Sequence, residues 1–292
     1  MMRQALFLPL VILFFQCSHT HVETVTLKGS DTEINLVLQL AEAYMESEPG
    51  VSISITGGGS GVGIAAMLNN KTDIANSSRE LSIYESALAR ERNIQIEPFI
   101  FAADALAIII HPSLTIDSLT LDDLGKIYAG EIQNWSQTGG GTGRISLYGR
   151  QSNSGTYMYF RERVVKRDYS PDLKQMNGTS QILEAVKADP GAIGYVGLGY
   201  LTDSEGNVRE GIRVVRLSRT PDEPAVSPLD RALVKNGLYP LTRPLYQFTN
   251  GVPEGKIKDF LEFESSPAGK KIILENGYLS AREAGMAGNI EK

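Results

Sequence analysis

Four short stretches carry hydroxyl, amide and cationic groups in one shared arrangement. They are Gly29-Ser30-Asp31-Thr32, Gly59-Ser60-Gly61, Asn76-Ser77-Ser78-Arg79 and Gly149-Arg150-Gln151-Ser152-Asn153-Ser154-Gly155-Thr156. Each follows a predicted strand and opens a predicted helix. A helix start presents unpaired N–H groups and the positive end of the helix dipole, which suit an anion. Glycine lets the backbone come close, Ser and Thr add hydroxyls, and Arg adds a charged planar fork. Taken singly, each stretch has a plainer reading. Ser30 with Glu33 fits a capping box, Ser60 and Ser154 fit helix N-caps, and a lone Arg150 fits a surface charge. Repeated four times and divided between two halves of the chain, they describe an anion site.

The elements that must position these turns are legible as alternating strands and helices. Residues 22–27 alternate as a first strand, and Ile34, Val37, Leu38, Ala41, Tyr44 and Met45 follow at helical spacing up to Pro49-Gly50. Val51, Ile53 and Ile55 form a second strand, Ile64, Ala65 and Leu68 a short helix, and residues 73–76 a third strand. Ser82 with Glu85 reads as a capping box. The apolar run Leu106–Ile110, ended by His111-Pro112, reads as a buried strand leaving the first lobe. A second lobe repeats the style. It has a helix near 121–128, strand 145–148, helices 157–165 and 181–188, and strand 192–196. Residues 239–248 read as a return strand, and helices near 255–263 and 268–276 close the first lobe. The expected organisation is a signal segment 1–16, a discontinuous first lobe (22–106 and 243–292) and an inserted second lobe (107–242). Two crossings join the lobes, with a cleft between them.

The formal net charge is −6. That balance gives no support for nucleic-acid binding, so an anion site here must rest on local groups. The N-terminus has Arg3 and then an apolar run, residues 5–15, too short to span a bilayer. Cys17 is the sole cysteine, so no intramolecular disulfide forms. Its place after the run resembles a bacterial lipoprotein cleavage site, although Phe14-Phe15-Gln16 departs from the usual small residue before the cysteine. Lipidation of Cys17 would hold the protein at a membrane surface, periplasmic or outside the cell.

In its combined motifs the chain resembles the phosphate-specific periplasmic binding proteins of ABC importers. The matching stretches are Lys28–Thr32, Thr56–Gly61, Asp73–Glu80, Gly130–Trp135, Arg150–Thr156 and Tyr239–Tyr246. The resemblance runs from about residue 22 to 276. It implies an α/β, type II periplasmic-binding fold that closes on dehydrated phosphate and delivers it to the membrane subunits of an ABC permease. Carried onto this sequence, it implies Ser60 in the first lobe and Arg150, Ser154, Gly155 and Thr156 in the second. Ser30, Asp31 and Thr32 act from the first turn, chiefly through amides. Some relatives place an acidic acceptor where Ser78 stands here. A carboxylate accepts a hydrogen bond from protonated phosphate but meets only lone pairs on sulfate. Asp31 is the expected substitute, against the plainer reading that it complements a helix dipole.

Other classes find less support. His19 and His21 lie beside the expected processing site, so His111 is the only histidine expected in the folded body, and its place before Pro112 reads as structural, so no Ser-His-Asp set can be built. No Cys/His cluster has metal spacing, and Gly59–Gly63 lacks the Lys-Ser/Thr of a P-loop. A phosphate-ester hydrolase is therefore the weaker reading, and no cofactor or metal is expected. Sulfate, molybdate or tungstate is the nearer alternative as ligand, and a surface lipoprotein without a transport role is a third. A monomer is the simplest state. Trp135 and Tyr157–Tyr159 read as packing, residues 138–143 as a surface turn, and Arg243-Pro244 as stabilising the return crossing. Arg79 has two readings, anion contact or an ion pair with Glu80 or an acid of the second lobe.

Overall fold

The structure is a computed structural model and describes residues 22–202 and 207–286. Cys17 and the signal segment 1–16 lie outside these residues. Two six-stranded mixed sheets organise the described chain.

The first sheet begins with a repeated strand–helix unit. β1 (Glu23–Gly29) leads to α1 (Ile34–Ser47), β2 (Val51–Thr56) to α2 (Ser60–Leu68), and β3 (Ile74–Ser77) to α3 (Ile83–Glu91). β1 lies between β2 and β3 and is parallel to both. β4 (Ile96–Ala105) then runs toward the second half of the molecule.

The second sheet contains β5 (Ala107–Ile110), β6 (Ser118–Thr120), β7 (Ser146–Arg150), β8 (Lys174–Met176), β9 (Ala192–Val196) and β10 (Arg213–Ser218). Its order is β6-β10-β5-β9-β7-β8. Helices α4 (Leu121–Ala129), α5 (Gly155–Phe160), α6 (Thr179–Ala188) and α7 (Arg231–Lys235) belong to this part of the chain. β11 (Thr242–Asn250) then returns antiparallel between β3 and β4. Helices α8 (Gly255–Ser265) and α9 (Pro267–Glu275) and strand β12 (Leu279–Ser280) complete the first sheet's layer.

The two lobes are joined side by side. Leu106 separates β4 from β5, and its N–H donates to the Leu241 carbonyl at 2.8 Å. The Tyr239 hydroxyl donates to the Leu106 carbonyl at 2.8 Å. Both crossings thus form one buried, hydrogen-bonded strip.

Several sequence expectations shift in detail. The buried face of α1 is Leu36, Val37, Leu40, Ala41 and Tyr44, while Leu38 is exposed. The apolar spacing was compatible with a slightly rotated face, and packing against α8 and α9 selects this one. The run 106–110 is not one strand, since Leu106 is the crossing and β5 starts after it. The long β4 ahead of it has a weak strand signal, because Pro98, Asp104 and three alanines dilute it. The helix expected over 157–165 is α5 followed by a π-helical turn at Arg161–Val165. The capping box at Ser82 and Glu85 is present as expected. Among the described residues, no helix is long and apolar enough to cross a membrane.

Lobe one also buries an unusual polar cluster. Glu264 on α8 is fully buried and accepts from Gln247 Nε2 at 3.0 Å through one oxygen only. Burial pushes its carboxyl well above the usual range. The fold therefore prefers the protonated form, which costs nothing below the unfolded-state value of about 4.3. Stability falls as pH rises from there through the raised folded-state value. Glu264→Gln should leave stability unchanged near pH 4 and raise it at pH 7.5, removing up to about 1.4 kcal/mol per pH unit of slope. Urea unfolding at the two pH values reads this, and equal destabilisation at both would refute it.

Candidate functional site

The four turns meet where the two lobes face each other. Glycine is required at the first. Gly29 has φ 139°, and a Cβ there would lie 2.1 Å from the Asn76 carbonyl oxygen of neighbouring β3. This close approach fixes the direction in which Ser30, Asp31 and Thr32 leave β1. Gly59, with φ 97°, caps α2, and its N–H donates to the Gly29 carbonyl at 2.8 Å. The first and second turns are thereby tied together.

Arg150 is the centre of the charge arrangement. Its side chain is only 1% exposed. A buried cation demands hydrogen-bonding partners. Nη2 reaches Asp31 Oδ2 at 2.5 Å and the Asn177 carbonyl at 2.8 Å. Nη1 reaches Thr179 Oγ1 at 3.1 Å, and Nε reaches the Met176 carbonyl at 3.3 Å. The second N–H on Nη1 has no protein acceptor among these contacts. The Arg150 backbone N–H donates to the Tyr195 hydroxyl at 3.0 Å, and the Tyr195 ring stacks on Phe160 at 4.4 Å. Burial holds the Tyr195 hydroxyl up at about 12, so it remains a neutral prop.

Asp31 faces Arg150 from the opposite lobe. Its Oδ1 accepts the Gly58 N–H at 2.9 Å, and its backbone carbonyl accepts the Tyr200 hydroxyl at 2.6 Å. The carboxylate thus serves both readings at once: one oxygen pairs with Arg150, and the other accepts an N–H just before the start of α2, where Gly59 is the N-cap. Carboxylate oxygens have roughly four lone-pair sites, so two remain beyond these bonds.

Hydroxyl groups fill out the site. Ser60 Oγ accepts the Ser78 N–H at 3.1 Å and lies 3.4 Å from Ser78 Oγ. Thr32 Oγ1 and Thr156 Oγ1 are 2.8 Å apart across the lobe boundary. Ser154 caps α5, accepting the Thr156 N–H at 3.2 Å. Gly155 sits against the first lobe, where a Cβ would lie 2.3 Å from Ser60 Oγ and 2.7 Å from Ser78 Oγ. The Gly61 N–H donates to the Asn153 carbonyl at 3.0 Å, binding the second turn to the fourth.

The structure thus brings together Asp31, Thr32, Ser60, Ser78, Arg150, Ser154, Gly155 and Thr156. Ser30 is buried beside them, but its hydroxyl has no partner within hydrogen-bond geometry, although it lies near the Glu33 carboxyl. The expected capping box of Ser30 with Glu33 is absent, because α1 starts at Ile34 with Glu33 as N-cap and no side-chain cap. Arg79 pairs with Glu85 of its own lobe, at 2.7 and 2.8 Å through two nitrogens, rather than with an acid in the second lobe. Trp135 is buried packing, with Nε1 donating to the Gly191 carbonyl.

Sequence reading missed Asp104, the buried partner through which Arg243 braces the return crossing. The two form a buried ion pair at 2.9 Å, and Arg243 reaches Thr156 Oγ1 at 3.1 Å. The available signal was Asp104 itself, a lone acid inside a long apolar run, which needs a buried cation. Gly155→Ala should leave the fold intact but push a methyl group into the Ser60 and Ser78 hydroxyls. Anion affinity should fall at least ~100-fold, in line with losing several charge-assisted hydrogen bonds; unaltered binding by titration calorimetry would displace the site from this position.

Residues 17–267 match the model of the PBP superfamily domain. The phosphate-binding protein PstS of Borreliella burgdorferi is 27% identical over 280 residues, covering 92% of this chain and 95% of that protein. The protein of the same name from Pseudomonas aeruginosa is 29% identical, covering 86% of this chain and 81% of its own length. A Clostridium perfringens structure assigned as a phosphate ABC transporter substrate-binding protein, with bound phosphate, superposes with a TM-score of 0.77 at 25% identity. It covers 88% of this chain and 99% of its own. An ABC-type phosphate transport receptor from Vibrio cholerae superposes with a TM-score of 0.67 at 26% identity, covering 87% and 99%.

Proposed function

The chain belongs to the PBP superfamily, and from the site it carries we propose that it captures inorganic phosphate between its lobes for an ABC-type importer. The observation that carries this reading is the buried Arg150, with an N–H left over and paired across the lobes to Asp31, together with the contacts that set Ser60 and Ser78 against Gly155 and Thr32 against Thr156. The bound phosphate in the Clostridium perfringens structure supports the choice of ligand.

The ligand contacts are Ser30, Asp31, Thr32, Ser60, Ser78, Arg150, Ser154, Gly155 and Thr156. Hydrogen bonds to charged groups contribute about 1.5–3 kcal/mol each, so several of them reach the roughly −8 kcal/mol of micromolar binding without a metal. Asp31 cancels the charge of Arg150, which leaves the anion to be held by dipoles and hydroxyls. It also supplies the acceptor for a protonated phosphate oxygen, taking the role that an acid at the position of Ser78 fills in some relatives. Sulfate has no proton to offer and is rejected.

The lobes, 22–106 with 243–292 and 107–242, close as units about the paired crossings at Leu106 and Leu241. The protein binds and hands over its ligand and catalyses no reaction. Lipidation of Cys17 holds it at the cell envelope as a monomer, where it meets the permease. Cys17→Ser should release the protein from the membrane fraction, and retention of the variant there would exclude the anchor.

Calorimetric titration with phosphate and sulfate, after unfolding and refolding to remove carried-over ligand, tests the reading. One-to-one phosphate binding with no sulfate heat is expected. Asp31→Asn should weaken phosphate roughly tenfold or more and relax sulfate rejection. Equal phosphate and sulfate affinity in the unsubstituted protein would overturn the assignment of ligand.

A further inference from the structure

The Arg243 side chain touches three of the four turns. It lies on β11 beside the second crossing and is 1% exposed. Its direct cross-strand partner on β4 is Asp104, which is 0% exposed. Nε and Nη2 both reach Asp104 Oδ2, at 3.2 and 2.9 Å. The other carboxylate oxygen accepts the Leu198 N–H from the second lobe at 2.9 Å. Nη1 lies 3.4 Å from the Ser78 carbonyl, and Nη2 lies 3.1 Å from Thr156 Oγ1 and 3.5 Å from Thr32 Oγ1. The Tyr159 ring covers the guanidinium at 5.2 Å.

The chemistry of these contacts has a direction. A guanidinium donates and never accepts. Thr156 Oγ1 must therefore accept from Arg243, which occupies one of its lone pairs. Thr156 and Thr32 hold two hydroxyl protons between them, and the 2.8 Å contact uses one. The other proton is left to point outward. Without Arg243 the pair is free to turn and present a lone pair, which repels an oxyanion. Asp104 meanwhile cancels the guanidinium charge, so the pair acts through hydrogen-bond direction and not as a second full cation.

We propose that Arg243 is a positioning residue of the anion site, which locks the Thr32–Thr156 hydroxyl pair across the two lobes with a donor facing the ligand. This rests on the reading of the site as one for an oxyanion, with phosphate as the expected ion. It assigns Arg243 a role in ligand selection beyond bracing the return crossing.

A double-substitution cycle tests it on the whole exported chain. Phosphate is titrated into the unsubstituted protein, Arg243→Lys, Thr156→Val and the double variant, and ligand-free thermal unfolding verifies each fold. Lys keeps a charge for Asp104 but lacks the planar fork. Each single change should weaken phosphate roughly 10- to 100-fold, as for loss of one hydrogen bond to a charged group. The double variant should match the weaker single variant to within about threefold, because both changes break one linked unit. Losses that simply multiply would show that Arg243 acts independently of Thr156 and overturn the proposal. So would a Thr156→Val affinity within about threefold of the unsubstituted protein, since the hydroxyl would then not matter; this arm holds even if Arg243→Lys does not fold. If the unsubstituted protein binds sulfate or molybdate and not phosphate, the phosphate reading fails and the cycle is read with that ion. If it binds none of the three, both readings fall.

Discussion

The arrangement depends on a buried guanidinium that a carboxylate from the other lobe must neutralise. Arg150 sits at the end of β7 with almost no solvent contact, and Asp31 comes to it from the end of β1. Breaking a buried pair by removing one partner typically costs about 3–5 kcal/mol, because a bare charge is left in a poor dielectric. The two lobes are therefore placed to satisfy that pair. The Asn153 contacts to Gly58 and Gly61, the Thr32–Thr156 pair and the Tyr200 contact to Asp31 lie around it.

A second buried pair repeats this logic next to the crossings. Asp104 and Arg243 face each other on β4 and β11, and each also reaches into the second lobe. Charge is thus balanced inside the protein at both ends of the site. An anion bound between them meets oriented dipoles and hydroxyls in a neutral setting. Such a site discriminates by the direction of hydrogen bonds more than by attraction to charge. The chain's negative net charge is compatible with anion capture for the same reason.

The backbone supplies the remaining constraints. Gly29 and Gly59 take left-handed conformations where strands turn into the site, and Gly155 leaves room for two hydroxyls of the opposite lobe. The polar cluster behind the first turn is a different matter. Glu33, Glu264, Asn76 and Gln247 are buried with oxygens that lack partners, and burial raises both carboxyls well above their usual range. Protonation relieves part of that burden, which places a stability cost beneath the turn that carries Asp31.

The sequence alone determined the repeated strand–turn–helix grammar, because glycine, hydroxyl residues and apolar periodicity are local signals. It also grouped Arg150 and the Ser-Gly-Thr turn with Ser60 and Asp31 as one expected site, through the recurrence of one motif type and the family resemblance. Only the tertiary structure decided who pairs with whom. Asp31 and Arg150 stand 119 residues apart, and Asp104 and Arg243 stand 139 apart. No periodicity links residues at such separations. Arg79 shows the same limit in reverse: it looked available to the anion, yet a nearby Glu85 claims it. Burial makes each of these choices, since a charge removed from water must take whatever partner the packed chain brings within reach.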